Sequence, residues 1–145
     1  MITDLHIALH ASGDQYRPSR LGTVFTNAND PHEIATFGIH KGRPWGYGYS
    51  ALVVPASVPL KEKVYYLAHK AEPLISRMKE AGASDIYVKA AFVCTDSCDM
   101  LLEAEELRLL AGLGCYFSAS CEIIAHEGEA IQSITDNDGA APRRV

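Results

Sequence analysis

Asp85-Ile86-Tyr87-Val88-Lys89-Ala90-Ala91-Phe92-Val93-Cys94 alternates along its whole length. Successive side chains of an extended chain point to opposite faces. Ile86, Val88, Ala90, Phe92 and Cys94 therefore share one side, and Tyr87, Lys89, Ala91 and Val93 share the other. One face is apolar and the other mixed, which describes a strand covered by helices on one side and open on the other. The pattern recurs in both directions along the chain. Leu5, Ile7 and Leu9 alternate with His6, Ala8 and His10, and Cys115, Phe117, Ala119, Cys121 and Ile123 alternate with Tyr116, Ser118, Ser120 and Glu122. In each case the apolar set is expected to face inward. Residues 47–54 supply one more strand, entered through the turn Lys41-Gly42-Arg43-Pro44-Trp45-Gly46.

Helical periodicity fills the intervals. Over residues 60–81, Leu60, Val64, Leu67, Ala68, Ala71, Leu74, Ile75 and Met78 recur at three- and four-residue steps and make one apolar stripe. Pro73 inside that stripe either kinks or breaks the helix, because proline lacks an N–H and clashes with the preceding turn, and Gly82 supplies its stop. Residues 103–111 form a second helix, acidic at its start, with Leu107, Leu110 and Ala111 inward and Gly114 beyond its end. A short helix over residues 17–25 would carry Pro18 in its first turn and Leu21, Val24 and Phe25 inward. Residues 33–40 read as a short extended or single-turn segment. The order implies an α+β fold, a mainly antiparallel sheet with helices packed on one face, in a two-layer sandwich related to the ferredoxin-like arrangement. Residues 1–126 make one domain without internal repeats, and the Gly, Asp, Asn, Ala and Pro composition beyond reads as a flexible tail over 127–145.

The 145 residues are 48% hydrophobic and 21% charged, enough for one core to stand without a structural metal or disulfide, so no cofactor is expected. No apolar run approaches the roughly 20 residues of a membrane span. Met1-Ile2-Thr3-Asp4-Leu5-His6 lacks the basic and apolar regions of a signal peptide, and a cytoplasmic protein without a membrane partner is expected. Thirteen basic against 18 acidic side chains give a net charge of −5, which disfavours nucleic acid as a partner. Cys94, Cys98, Cys115 and Cys121 show C-x3-C and C-x5-C spacing rather than the paired C-x2-C of zinc ribbons. Cys115 and Cys121 would lie about 20 Å apart on one strand and cannot bond to each other. Reduced thiols in the core are the expected state.

The open sheet face carries the candidate site. His6 and His10 project from the first strand, Tyr87 and Lys89 from the fourth, and Tyr116, Ser118, Ser120 and Glu122 from the last. Two histidines and a glutamate suit a metal in type, but four strand residues separate His6 from His10 by about 13 Å, too far for one ion. Gly42-Arg43-Pro44-Trp45-Gly46-Tyr47-Gly48-Tyr49 reads as a turn entering a strand, with Trp45 and the tyrosines capping the edge of the core. The same interleaving of glycine with aromatics would serve to line a ligand pocket. It is not a phosphate loop, and no Gly-x-Ser-x-Gly or His-Glu-x-x-His pattern occurs.

Beyond these elements, the chain resembles a bacterial family of domains without an assigned activity, domain of unknown function forty-two seventy-nine. The likeness rests on the strand Ile86-Tyr87-Val88-Lys89-Ala90-Ala91-Phe92 and on Glu105-Glu106-Leu107-Arg108-Leu109-Leu110-Ala111-Gly112-Leu113-Gly114-Cys115, which is similar to the family's acidic-Leu-x-x-Leu-Ala-x-Leu-Gly run. Ser12-Gly13-Asp14, Pro18-Ser19-x-Leu21, His32-Glu33-Ile34 and Lys41-Gly42-Arg43-Pro44 are similar to its N-terminal half. The family's Leu-Gly-Ile-x-Pro run has no evident counterpart. The resemblance implies the fold over about residues 5–124 and carries no activity.

The expected function is a non-enzymatic protein-binding or regulatory module of the immunity type. It would meet a partner protein or a second copy through His6, His10, Trp45, Tyr87, Lys89, Tyr116, Ser120 and Glu122. One alternative is an enzyme of unassigned class using His6, His10 or Glu122 near Trp45. The other is metal binding through Cys94, Cys121 and a histidine.

Overall fold

Residues 85–94 do form a strand, and the chain builds a five-stranded sheet around its neighbour. The computed structural model describes residues 1–124, so the expected tail over 127–145 lies outside the described residues. The strands are β1 (Ile2–Gly13), β2 (Asn27–Asn29), β3 (Gly48–Val53), β4 (Asp85–Cys94) and β5 (Tyr116–Ile123), in the order β2-β3-β1-β4-β5. β1 is antiparallel to both β3 and β4, so those two run parallel to each other with β1 between them, a split β-α-β unit. Their connection carries α1 (Lys63–Ala71) and α2 (Ile75–Glu80). β5 adds in parallel to β4 after α3 (Ala104–Gly112), as a parallel neighbour requires a crossover. The result is the α+β two-layer fold. No helix among the described residues is long and apolar enough to cross a membrane.

The core lies between the helices and the odd-numbered face of β1. Leu5, Ile7, Leu9 and Ala11 meet Val64, Leu67, Ala71, Leu74, Ile75 and Met78 from the helices and Val88, Ala90, Phe92 and Cys94 from β4. Pro73 breaks the expected long helix: α1 stops at Ala71, the Leu74 N–H bonds the Ala71 carbonyl, and α2 restarts at Ile75. The stripe survives the break except at Leu60, which sits in a preceding 3-10 turn and is 38% exposed. The short helix expected over 17–25 shrinks to a 3-10 turn at Pro18–Leu21. Gly22 takes φ +82° and ends it, leaving Val24 exposed. α3 starts as its acidic sequence suggests, with Glu106 accepting from the Glu103 N–H at 2.8 Å in a capping box, but Leu107 and Ala111 point away from the core while Leu110 and Leu113 enter it.

Two expectations fail for reasons of position. Every residue of β5 is exposed, so Phe117, Ala119, Cys121 and Ile123 are not inward. β5 is an edge strand, and α3 packs towards α1 rather than over it. The reduced state expected for all four cysteines does not hold for Cys94 and Cys98, which form a disulfide. β4 ends at Cys94 and the chain turns back at once, bringing Cys98 to a Cα–Cα distance of 5.5 Å, inside the limit of about 7 Å for bridging. Cys115 and Cys121 are free.

Polar groups lock both ends of β1. Beyond the point where β3 stops pairing, buried Lys63 reaches from α1 and donates to the Leu5 carbonyl at 2.9 Å and to Asp4 Oδ1 at 2.8 Å. The Lys63 hydrogen bond, followed by one from the Leu5 N–H, holds the Asp4 carboxyl below its ordinary pKa. At the other end the chain turns through Gln15 and Tyr16, whose buried hydroxyl bonds Ser50 Oγ on β3 at 2.7 Å. Gly48 lets β3 pass under this turn: a Cβ there would lie 1.7 Å from the Tyr16 carbonyl oxygen. Gly48→Ala is expected to destabilise the protein by about 3 kcal/mol or more, because backbone cannot yield as a side-chain tip can. Gly112→Ala, where an added methyl meets nothing within 4 Å, is expected to be neutral or to gain up to about 0.5 kcal/mol. Urea unfolding midpoints of the two variants check both values.

Candidate functional site

Strand register gathers aromatic rings on the open face. His10 pairs with Tyr87 across β1 and β4, and Tyr87 pairs with Tyr116 across β4 and β5. Opposite residues in adjacent strands put their side chains on the same face, so these three rings form one transverse row. His10 stacks on Tyr87 with centroids 5.1 Å apart and planes 14° apart. Tyr87 stacks on Tyr116 at 5.0 Å and 9°. On the other flank His10 faces Ala51, whose small side chain leaves room for Tyr49 to lean in from the adjacent row. The Tyr49 ring is 5.9 Å from His10, and its hydroxyl is 2.8 Å from His10 Nδ1. At the far end the Tyr116 hydroxyl donates to Asp85 Oδ2 at 3.3 Å. The row therefore crosses the sheet from β3 to β5, tied at each end by a hydrogen bond.

Electrostatics keep the middle of the row neutral. Desolvation lowers the His10 pKa, and the positive charge of Lys89 in the next row adds to it. A neutral His10 with its proton on Nε2 accepts from the Tyr49 hydroxyl at Nδ1. Burial raises the Tyr49 pKa, assisted by the neighbouring Tyr87 and Tyr47, so it stays a phenol and a donor.

The other residues proposed from sequence are spread out. Lys89 is exposed, one row from His10 and Tyr87. His6 is exposed, its Nε2 3.9 Å from Asp4 Oδ2. Ser120 lies in the row of His6 with Ala91 between them, and Glu122 lies one row further, opposite Val93. Two strand spacings separate β1 from β5, roughly 10 Å, so His6, His10 and Glu122 do not converge. Among the described residues no three His, Cys, Asp or Glu side chains are placed to hold a metal ion. Cys94 is committed to its disulfide and Cys121 is exposed on the outer strand.

Trp45 does not cap the core edge. Residues 32–45 form an arm held by His32 N–H to Trp45 O, Trp45 N–H to Glu33 O and Ala35 N–H to Arg43 O, each 2.8 Å. Trp45 stands on this arm, half-buried and edge-on to His40 and Tyr47 at 5.8 and 5.9 Å. Between the arm and β2 lies a cleft of about 390 Å³ lined by Asn27, Asn29, Glu33, Phe37, Trp45 and Tyr49 among others. Tyr49 thus belongs to both cleft and row. Sequence reasoning left Tyr49 out of the site, although the alternation of Tyr47, Tyr49, Ala51 and Val53 is the signal that places it on the open face.

Compared with known proteins, the chain matches no family model, no curated protein and no solved structure.

The lowered His10 pKa has a stability consequence. Below the ordinary histidine value near 6.5 the unfolded chain takes up a proton that the folded chain resists, so stability falls as pH drops from about 6.5 through the folded pKa. His10→Phe keeps a ring in the row and removes the titration. Urea midpoints measured between about pH 8 and about pH 5 are expected to decline more steeply for the natural protein than for this variant. Equal slopes would assign the acid sensitivity elsewhere.

Proposed function

We propose that the protein is a non-enzymatic binding module that recognises another protein through its open sheet face. The observation that carries this reading is the row Tyr49–His10–Tyr87–Tyr116, four rings side by side on a face that no helix among the described residues covers. Tyrosine-rich, rigid surfaces give large contact area at small entropic cost, because each ring has few rotamers and these are already fixed by stacking. Lys89 on one side of the row and Asp85 at its end add charges of both signs, which set orientation more than affinity. A regulatory role of the immunity type fits a small acidic domain that steers towards a basic partner. Kinship with the domain of unknown function forty-two seventy-nine family belongs to the same proposal and supports the fold without adding an activity.

The test is capture from native lysate with the natural protein, with a Tyr87→Ala/Tyr116→Ala variant, and with Glu80→Ala on the helical side as control. The expected result is a stoichiometric protein retained by the natural form and the control, with affinity reduced about 10- to 100-fold by the double variant. A protein retained equally by all three, or none at stoichiometric level, would contradict the reading.

A further inference from the structure

The cleft beside the row differs in chemistry from the sheet face. Phe37, Trp45 and Tyr49 supply three aromatic rings, and Glu33 is the one charged side chain among its lining residues. Lys41 and Arg43 stand on the same arm but do not line the cleft. Neutral polar side chains, Asn27, Asn29 and Thr36, accompany the carboxylate at its wall. Asn29 donates one of its two amide N–H groups to the Tyr47 carbonyl at 3.0 Å, and its Oδ1 and the Glu33 carboxylate are acceptors on the lining. Aromatic faces carry negative quadrupole potential, so rings and acceptors add to the same sign. No cationic side chain among the described residues lines the cleft to pair with an anionic ligand.

We infer that this cleft binds an organic ammonium ion, such as a quaternary or otherwise alkylated amine, held over Trp45 with Phe37 and Tyr49 around it and Glu33 as counter-charge. Alkylation spreads the positive charge over methyl groups that pack on ring faces, and the lowered hydration of such ions reduces the cost of entry. A volume of about 390 Å³ falls in the range of small-molecule sites and exceeds a bare trimethylammonium head, so the cleft also accommodates the chain that bears it. Trp45, the ring type best suited to a cation, is placed by the hydrogen-bonded arm and buttressed edge-on by His40 and Tyr47 before any ligand arrives. Tyr87 and Tyr116 do not line the cleft, which meets the row at Tyr49.

Trp45 is the only tryptophan in the chain, so its fluorescence and its single indole N–H resonance report on this cleft alone. The probes are tetramethylammonium and choline as free ions, a peptide containing trimethyl-lysine as the protein-borne source, 3,3-dimethylbutan-1-ol as the uncharged isostere of choline, and glucose and adenosine as neutral ligands. The inference predicts a saturable Trp45 response to choline or to the peptide, whichever binds more tightly identifying the source. The uncharged isostere is expected to bind at least about tenfold more weakly. Glu33→Gln and Phe37→Leu should each weaken the ammonium response by at least about threefold, while Glu80→Ala on the helical side leaves it unchanged. No saturable response to any ammonium probe overturns the inference. So does equal binding of the isostere, or a response to glucose or adenosine that Glu33→Gln does not alter.

Discussion

Pairing of β1 on both of its edges is the constraint on which the rest of the structure depends. Its twelve residues hydrogen-bond to β4 along nearly their whole length and to β3 along the second half. A central strand must satisfy its backbone from both sides and cover at least one face. Leu5, Ile7, Leu9 and Ala11 meet the second demand by facing α1 and α2. Where β3 stops, the free carbonyl of Leu5 would be left buried, and Lys63 fills that place from the helical layer. Where β1 ends, the tight approach of the 13–16 turn to β3 demands Gly48. The buried lysine and the glycine are thus two answers to the same requirement at opposite ends of one strand.

The even-numbered side of β1 inherits its character from this arrangement. With the helices engaged on the odd face, the outer face stays open and its composition is free to serve another purpose. Ala51 beside His10 is small, and the rings of Tyr49 and Tyr87 approach His10 from either side. Stacking at about 5 Å is the natural spacing of adjacent strands, so a row of rings in register stacks without adjustment. The arm of residues 32–45 extends the open face past β2 and turns its last ring, Tyr49, into the wall of a cleft. Row and cleft offer different chemistry, a flat amphipathic surface beside an aromatic recess with one carboxylate.

Much of this was legible in the residues. Alternation located β1, β4 and the side of each that faces inward, and the three- and four-residue stripe named the buried residues of α1 and α2 even though Pro73 divides them. His10, Tyr87 and Tyr116 were legible as one surface because strand faces follow from parity. What was not legible depends on partners distant in sequence. Parity says which face a β5 residue takes, but not that α3 leaves that face uncovered. The disulfide required knowing that the chain reverses immediately after Cys94. Trp45 and Tyr49 line one cleft because the arm folds back on itself, through backbone hydrogen bonds between residues 32–45 that have no periodic signature. His6, Ser120 and Glu122 share the face with the row yet stand in other rows, a distinction that only register supplies.

On the proposed reading, the open face rather than the helical side meets a partner protein. Hydroxyl-radical footprinting in native lysate, set against the purified protein, tests it most directly because tyrosine and tryptophan label efficiently. The expected result is that Tyr87 and Tyr116 are protected in lysate, while Tyr65 and Tyr66 on α1 label equally in both. Equal labelling of Tyr87 and Tyr116 in the two conditions, or protection confined to the α1 tyrosines, would contradict it.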